Sequence, residues 1–307
     1  MRVVVWLVAM AALLSLPAAG AEPIGIITEL HLKNGQVEVK PAAGGDWQAV
    51  KPLFAISAGD QVRATGAGRA VLVFVSSQHN MVVTQGNSPY VATAPPQPGL
   101  GERVKAALSF LQSTPREPRR KALVVRSSPE LTPVVLVAPR ESDVAADSIS
   151  LEWIGPASAR HTVRIVSAGG RVLWEKTNVA AGPLAVAPAD VRLAPGRYRW
   201  ELESPEHGIQ GAAFDVATAE AATGVRAAVA AVELARYPAA TGALLKAAGL
   251  MRERFFADAR RELLRGVAAN PEEPTLHLLL GDVYERIGLD NLAAAEYDQA
   301  ETLSVRR

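Results

Sequence analysis

Hydrophobic and polar positions change their spacing twice along the chain. Over 22–93, short alternating or β-branched apolar runs are separated by turn signals, so the pattern predicts a small all-β domain. Alternation returns over 131–216 and predicts a β-sandwich. Over 217–307 the chain is alanine-rich with helical spacing. We therefore expect a multidomain, mainly β protein, in which two β-sandwich-like domains precede an all-α domain.

The segment 94–130, between the two β domains, has a different composition. Prolines between Pro95 and Pro98 exclude a central strand or helix, because proline lacks an amide donor, and they predict a linker. One short amphipathic helix that docks on a neighbouring domain is predicted by four apolar residues at helical spacing: Val104, Ala107, Leu108 and Leu111. The basic stretch 115–121 is interpreted as a solvated hinge, with contact to phosphate groups or acidic wall polymer as the alternative.

Residues 1–21 have the composition of a secretory signal peptide. Arg2 precedes an apolar run from Val3 to Leu16, and small residues then lead to a cleavage site after Ala21. The alternative, an uncleaved membrane anchor, is disfavoured because about 14 apolar residues fall short of the roughly 20 that span a bilayer. No second long apolar run follows. We therefore expect a periplasmic or secreted protein with no transmembrane segment after cleavage.

The order of features over 22–93 resembles the FecR domain. In that family a glycine with a strand is followed by a tryptophan, a Gly-Asp-x-Val motif, a small-residue turn and an apolar strand. This chain has the same five features in the same order: Gly35-Gln36-Val37, Trp47, Gly59-Asp60-Gln61-Val62, Gly66-Ala67-Gly68 and Ala70-Val71-Leu72-Val73-Phe74. The usual threonine after the motif is displaced by one position, to Thr65. The resemblance implies an envelope domain that meets another protein or the cell wall. Signalling to a sigma factor is not expected, because this chain lacks the spanning helix that such signalling requires.

The second β domain resembles fibronectin type III and immunoglobulin-like modules. A proline-glycine turn, Pro195-Gly196, precedes the aromatic strand that contains Trp200, as at the late-strand corner of those modules. Because the chain has no cysteine, the fibronectin-like variant is the better comparison. Trp153, Trp174 and Trp200 are interpreted as core residues of the sandwich, with a sugar-binding platform as the alternative.

The helical region resembles tandem tetratricopeptide repeats. The second unit matches the pattern with Leu280-Gly281, Tyr284, Gly288, Ala293, Tyr297 and Ala300, and the first offers Ala247, Leu250, Ala259, Leu263, Gly266 and Pro271. Ala247 and Gly281 are 34 residues apart, as are Ala259 and Ala293. Arg254 replaces the usual glycine between the helices of the first unit. A preceding helix, 219–237, is predicted to act as a cap or a partial third unit.

Composition and motifs argue against an enzyme. With 49% hydrophobic and 21% charged residues the chain is typical of a folded protein, and its net charge of +1 gives no field that would steer it toward nucleic acid. Without cysteine there is no disulfide, thiol nucleophile or Cys-type zinc site, and no histidine has another within four residues. Nucleotide loops and nucleophile elbows are missing as well. We therefore predict no catalytic residues, no cofactor and no metal site; an enzyme whose carboxylates converge only in space is the alternative.

The expected function is that of a non-enzymatic scaffold or adaptor of the cell envelope. The tetratricopeptide resemblance implies a concave groove, lined by the first helix of each unit, that binds a segment of an envelope protein. The candidate groove residues are Lys246, Leu250, Arg252, Arg254, His277 and Tyr284. The alternative is a peptidoglycan- or glycan-binding module that uses the β domains. Nucleic acid is not an expected partner.

Overall fold

A computed structural model describes residues 23–75, 77, 79–93, 102–113, 134–156, 158–180, 182–234 and 237–305. The predicted signal peptide 1–21, the proline-rich part of the linker and the basic stretch 115–121 lie outside the described residues. A β-rich region followed by helices is confirmed.

The N-terminal β unit consists of two four-stranded antiparallel sheets. Its strands are β1 (Pro23–His31), β2 (Gly35–Lys40), β3 (Gln48–Ala49), β4 (Ala55–Ser57), β5 (Gln61–Gly66), β6 (Arg69–Phe74), β7 (Asn80–Val83) and β8 (Tyr90–Val91). The sheet orders are β4-β1-β6-β7 and β3-β2-β5-β8. Alternating side chains of both sheets, among them Ile27, Val62 and Leu72, form one core cluster. The opposite face of the first sheet is also apolar, with Ile26, Val71 and Val73 buried by other parts of the chain.

The second β unit is a sandwich of a five-stranded and a three-stranded sheet. Its strands are β9 (Val135–Ala138), β10 (Ser142–Val144), β11 (Ile149–Ile154), β12 (His161–Ser167), β13 (Val172–Val179), β14 (Leu184–Val186), β15 (Gly196–Ser204) and β16 (Gly208–Val216). The sheet orders are β10-β16-β15-β12-β13 and β14-β11-β9. Trp153 and Trp200 are buried between the sheets and Trp174 packs against the same cluster, so these tryptophans do not form an exposed platform.

Six α-helices lie within the described residues. They are α1 (Glu102–Ser113), in the segment between the β units, and α2 (Ala219–Leu234), α3 (Ala239–Arg252), α4 (Phe256–Ala269), α5 (Pro274–Arg286) and α6 (Asp290–Val305). Helices α3 and α4 pack together, as do α5 and α6. At the close approach of α5 and α6, a Cβ atom on Gly281 would lie 2.5 Å from Cε1 of Tyr297. Only glycine fits at this position without displacing the tyrosine ring.

One core cluster joins the helices to both β units. It contains residues of α1 to α6 together with Ile26, Val71 and Val73 of the first unit and Val137 and Ala138 of the second. The helices therefore pack on the outer face of the β1–β6 sheet and on the edge of the sandwich.

Candidate partner-binding surface

The six predicted groove residues do not share one open surface. Leu250, His277 and Tyr284 are buried. The exposed Arg252 pairs with its neighbour, Glu253. Lys246 is largely buried, and its Nζ lies 3.0 Å from Oε1 of Glu233 and 3.6 Å from Oε2 of Glu262.

Arg254 forms part of the junction between the helices and the sandwich. Its carbonyl oxygen accepts hydrogen bonds from the backbone N–H of Asp143, at 2.9 Å, and from Oγ of Ser142, at 3.3 Å. Its φ of +64° lies in the left-handed region, and Gly288, 34 residues later, has φ +71°. A glycine thus makes the turn between α5 and α6, whereas an arginine makes the corresponding turn between α3 and α4.

His277 and Tyr284 also have partners inside the fold. Nδ1 of His277 lies 2.7 Å from Oε2 of Glu296. Burial is the largest single influence and would lower the pKa of His277, but the hydrogen bonds with Glu296 and Pro271 and the charges of Glu296 and Glu273 together raise it above its ordinary value. The hydroxyl of Tyr284 accepts a hydrogen bond from Nε of Arg260, whose Nη1 reaches Glu152 of the sandwich at 2.6 Å.

The chain's own helix α1 covers part of the face that the predicted groove would use. Its four apolar positions, Val104, Ala107, Leu108 and Leu111, are all buried in the cluster that contains α3 and α5. The guanidinium group of Arg286, at the end of α5, lies 5.3 Å from the ring centroid of Phe110 in α1. A partner would have to displace α1 to use this face.

A buried polar cluster, here called the polar seam, joins β1 to the N-termini of α3 and α5. Oε1 of Glu29 accepts hydrogen bonds from the backbone N–H of Thr241, at 2.8 Å, and from its hydroxyl, at 2.7 Å. Glu273 caps α5 at Thr275 and accepts the backbone N–H of Leu30 at 2.9 Å. Each carboxylate thus sits at a helix N-terminus, where the helix dipole favours negative charge.

Burial affects the two carboxylates of the polar seam differently. Burial raises the pKa of Glu273 to about 7, despite the hydrogen bonds from Thr275 and Leu30. At Glu29 burial is the largest single influence, but hydrogen bonds with His31 and Thr241 and the charge of Arg69 together outweigh it and lower the pKa. Sequence spacing gave no sign of this cluster because Glu29 and Glu273 meet only in the folded chain.

The polar seam also brings three potential metal ligands together. Side-chain atoms of Glu29, His31 and Glu273 all lie within 4.8 Å of one another. However, Nη2 of Arg69 is already 2.6 Å from Oε2 of Glu29 and 2.9 Å from Nε2 of His31. A cation would compete with this guanidinium for the same lone pairs, so the arrangement favours a structural role.

An open trough runs between α2 and α4 above α3. It consists of two adjoining cavities of about 280 and 470 Å³ that share Glu233, Glu262 and Arg265. Its apolar floor consists of the buried Leu250, Phe255 and Val225, with the half-buried Val229 beside them. Its charged edges carry ion pairs: Arg265 with Glu262, Arg261 with Asp258, and Lys246 with Glu233. Two predicted groove residues, Lys246 and Leu250, line this trough.

Two histidines meet at one end of the sandwich. His161 begins β12 and His207 lies in the turn between β15 and β16. Burial, and then the nearby His207, lower the pKa of His161. The sequence analysis considered only histidines within four residues of each other, so it gave no sign of these two residues, which neighbouring strands bring to the same end of the sheet.

Comparisons with known proteins add little to these observations. The chain matches no protein-family model and no curated protein. Among solved structures it is similar to CopC from Methylosinus trichosporium OB3b, with 21% sequence identity over 27% of this chain and 92% of that chain, and a TM-score of 0.20. A structural similarity with so low a TM-score supports no inference about the fold or function of this protein. Within the described residues, none of the helices has the length and apolar character needed to cross a membrane.

Proposed function

We propose that the protein is a non-enzymatic, exported adaptor of the cell envelope that binds a segment of a partner protein in the trough between α2 and α4. As part of this proposal, the first β unit is FecR-like, the second β unit is fibronectin-like and the helical region is tetratricopeptide-like. The observation that carries it is the trough itself, which has an apolar floor and charged edges and is open to solvent. The β units and α1 then serve to hold the helices in place.

The lining of the trough supports a partner segment with both apolar and charged residues. Val229 and Ala230 offer apolar contact above the buried Val225 and Leu250, whereas Arg265 and Glu262 offer one charge of each sign. A helical or extended segment with apolar residues flanked by both acidic and basic residues complements this surface. When such a segment binds, its charged side chains replace one partner in the ion pairs along the edges of the trough.

Point variants test this proposal better than a truncation after Val216. Removing the helices would uncover Ile26, Val71 and Val73, and loss of binding would then report an exposed apolar face. We therefore choose Arg265→Glu, because this side chain is 71% exposed and lines the trough. The matched control is Arg171→Glu, which makes the same charge change at an exposed hairpin of the sandwich.

The experiment is affinity capture from envelope extract with the wild type and both variants, beside pelleting with purified sacculi. We expect Arg265→Glu to retain the wild-type partner at least tenfold less, whereas Arg171→Glu retains it normally. Equal retention by Arg265→Glu and the wild type would contradict the trough as the binding surface. Pelleting of all three proteins with sacculi, without any retained protein, would favour the wall-binding alternative.

A further inference from the structure

The end of the second β unit carries two histidines, His161 on β12 and His207 in the turn that follows the neighbouring strand β15. Thr162, next to His161, pairs with Glu203 of β15, and Ser204 pairs with Gly208 across the turn that carries His207. His161 and His207 therefore lie at the same end of the five-stranded sheet.

Neither imidazole has a hydrogen-bond partner among the described residues. Nδ1 and Nε2 of both rings are shielded from solvent and unpaired. His161 is only 1% exposed. A buried polar group without a partner costs about 1–3 kcal/mol, so four unpaired ring nitrogens at one place are candidate ligand-binding atoms.

The surroundings specify the kind of ligand. Trp153 meets the ring of His161 edge to face, with 5.8 Å between ring centroids. Its buried Nε1–H also has no partner among the described residues, but indole nitrogen is a hydrogen-bond donor without a lone pair for a metal. Glu203, the acidic residue nearest in register, is 2.8 Å from Nη1 of Arg164 and is thereby engaged elsewhere. The site thus offers neutral nitrogen donors, and imidazole nitrogen is a preferred ligand of copper and zinc.

Charge and ligand number favour copper in its monovalent state. The cost of burying an ion rises with the square of its charge, so a site without a carboxylate favours a single charge. Zinc almost always takes four ligands, or three protein ligands and a water, whereas monovalent copper accepts two nitrogen ligands. We propose that His161 and His207 bind one copper(I) ion between their ring nitrogens. This site is independent of the trough and of partner binding.

The test is a titration of the purified protein with copper(I), under anaerobic reducing conditions, in competition with a chromophoric copper(I) chelator. The chain has no cysteine that would bind the metal instead. We expect one equivalent of copper(I) to bind the wild type. His161→Phe and His207→Gln should each weaken binding at least tenfold. His79→Gln, which changes an exposed histidine of the first β unit, should leave it unchanged.

Because His207 lies in a turn, we expect His207→Gln to fold. The test therefore remains valid even if His161→Phe fails to fold. Undiminished binding by His207→Gln would overturn the proposal, as would an equal loss in His79→Gln. Absence of copper(I) binding by the wild type would overturn it outright. A parallel titration with zinc completes the test, because zinc binding with the same histidine dependence would overturn the assignment to copper(I).

Discussion

Glu29 and Glu273, the two carboxylates of the polar seam, respond to pH with opposite signs. The lowered pKa of Glu29 means that it stabilises the fold above its unfolded pKa, and this contribution is lost as the pH falls through the folded value. The pKa of Glu273 is raised from 4.5 to about 7, so the folded state takes up a proton that the unfolded chain does not hold between these values. The contribution of Glu273 to stability therefore increases as the pH falls from about 7 toward 4.5.

Glu273→Gln isolates this effect. The amide remains neutral at every pH and its oxygen is available to the backbone N–H groups of Leu30 and Thr275. We expect the free energy of unfolding of the wild type, relative to this variant, to decrease between pH 5 and 8. Urea unfolding at several pH values measures it. Glu272→Gln is the exposed control, and the same pH dependence in Glu273→Gln and the wild type would contradict the prediction.

Residue-scale predictions from sequence worked where the cause is local. Glycine turns can be predicted from sequence because a positive φ favours glycine, as at Gly288. The small residues of the helical region can be predicted as well, because closely packed helices need them. Arg254 shows the limit. Its turn forms because Ser142 and Asp143 hold its carbonyl oxygen, and these residues are far away in sequence. The polar seam and the His161–His207 pair escaped prediction for the same reason.

Elements with strong periodicity were predicted well, and elements with small side chains were missed. The spacing of Leu108 and its apolar neighbours matches the buried face of α1. The nine-residue strand β16 gave no strand signal, because it is rich in glycine and alanine. It forms because every residue pairs with β15, and Gly211 accommodates the side chain of Arg199.

The close approach of α5 and α6 predicts a glycine-specific effect. We expect Gly281→Ala to destabilise the protein by about 1–3 kcal/mol, because the added methyl group overlaps the ring of Tyr297. Gly249→Ala, in α3, is the matched control, since its Cβ would meet open space. That variant should stabilise by about 0.4–1 kcal/mol. Equal effects in urea unfolding would contradict the packing described.

Helix α1 is expected to contribute to stability as a core element. Leu108→Ala should cost about 2–5 kcal/mol, because the side chain is fully buried against the other helices. Ser109→Ala changes the exposed neighbour and should alter the free energy of unfolding by less than about 0.5 kcal/mol. Thermal or urea unfolding of both variants distinguishes a packed α1 from a loosely attached one, for which both changes would be small.

At the scale of the whole molecule, the shared core predicts cooperative unfolding. The four tryptophans beyond the predicted signal peptide, at positions 47, 153, 174 and 200, all precede the helical region. Tryptophan fluorescence therefore reports the β units, whereas circular dichroism at 222 nm is dominated by the helices. We expect the two signals to change at the same urea concentration, because helices and β units share one core cluster. Two separate midpoints would show that the units unfold independently.

The apolar outer face of the β1–β6 sheet has a consequence for how the chain is made. Its residues Ile26, Val71 and Val73 leave the ribosome before the helices that cover them, such as α3 and α5, are synthesised. Until then the face remains exposed and is a natural binding site for a holding chaperone. A premature stop before residue 239 would release a chain with this face uncovered, and aggregation or degradation would follow. Packing of the helices α3 and α5 is thus the step that covers the apolar face of the β1–β6 sheet and ends its tendency to aggregate.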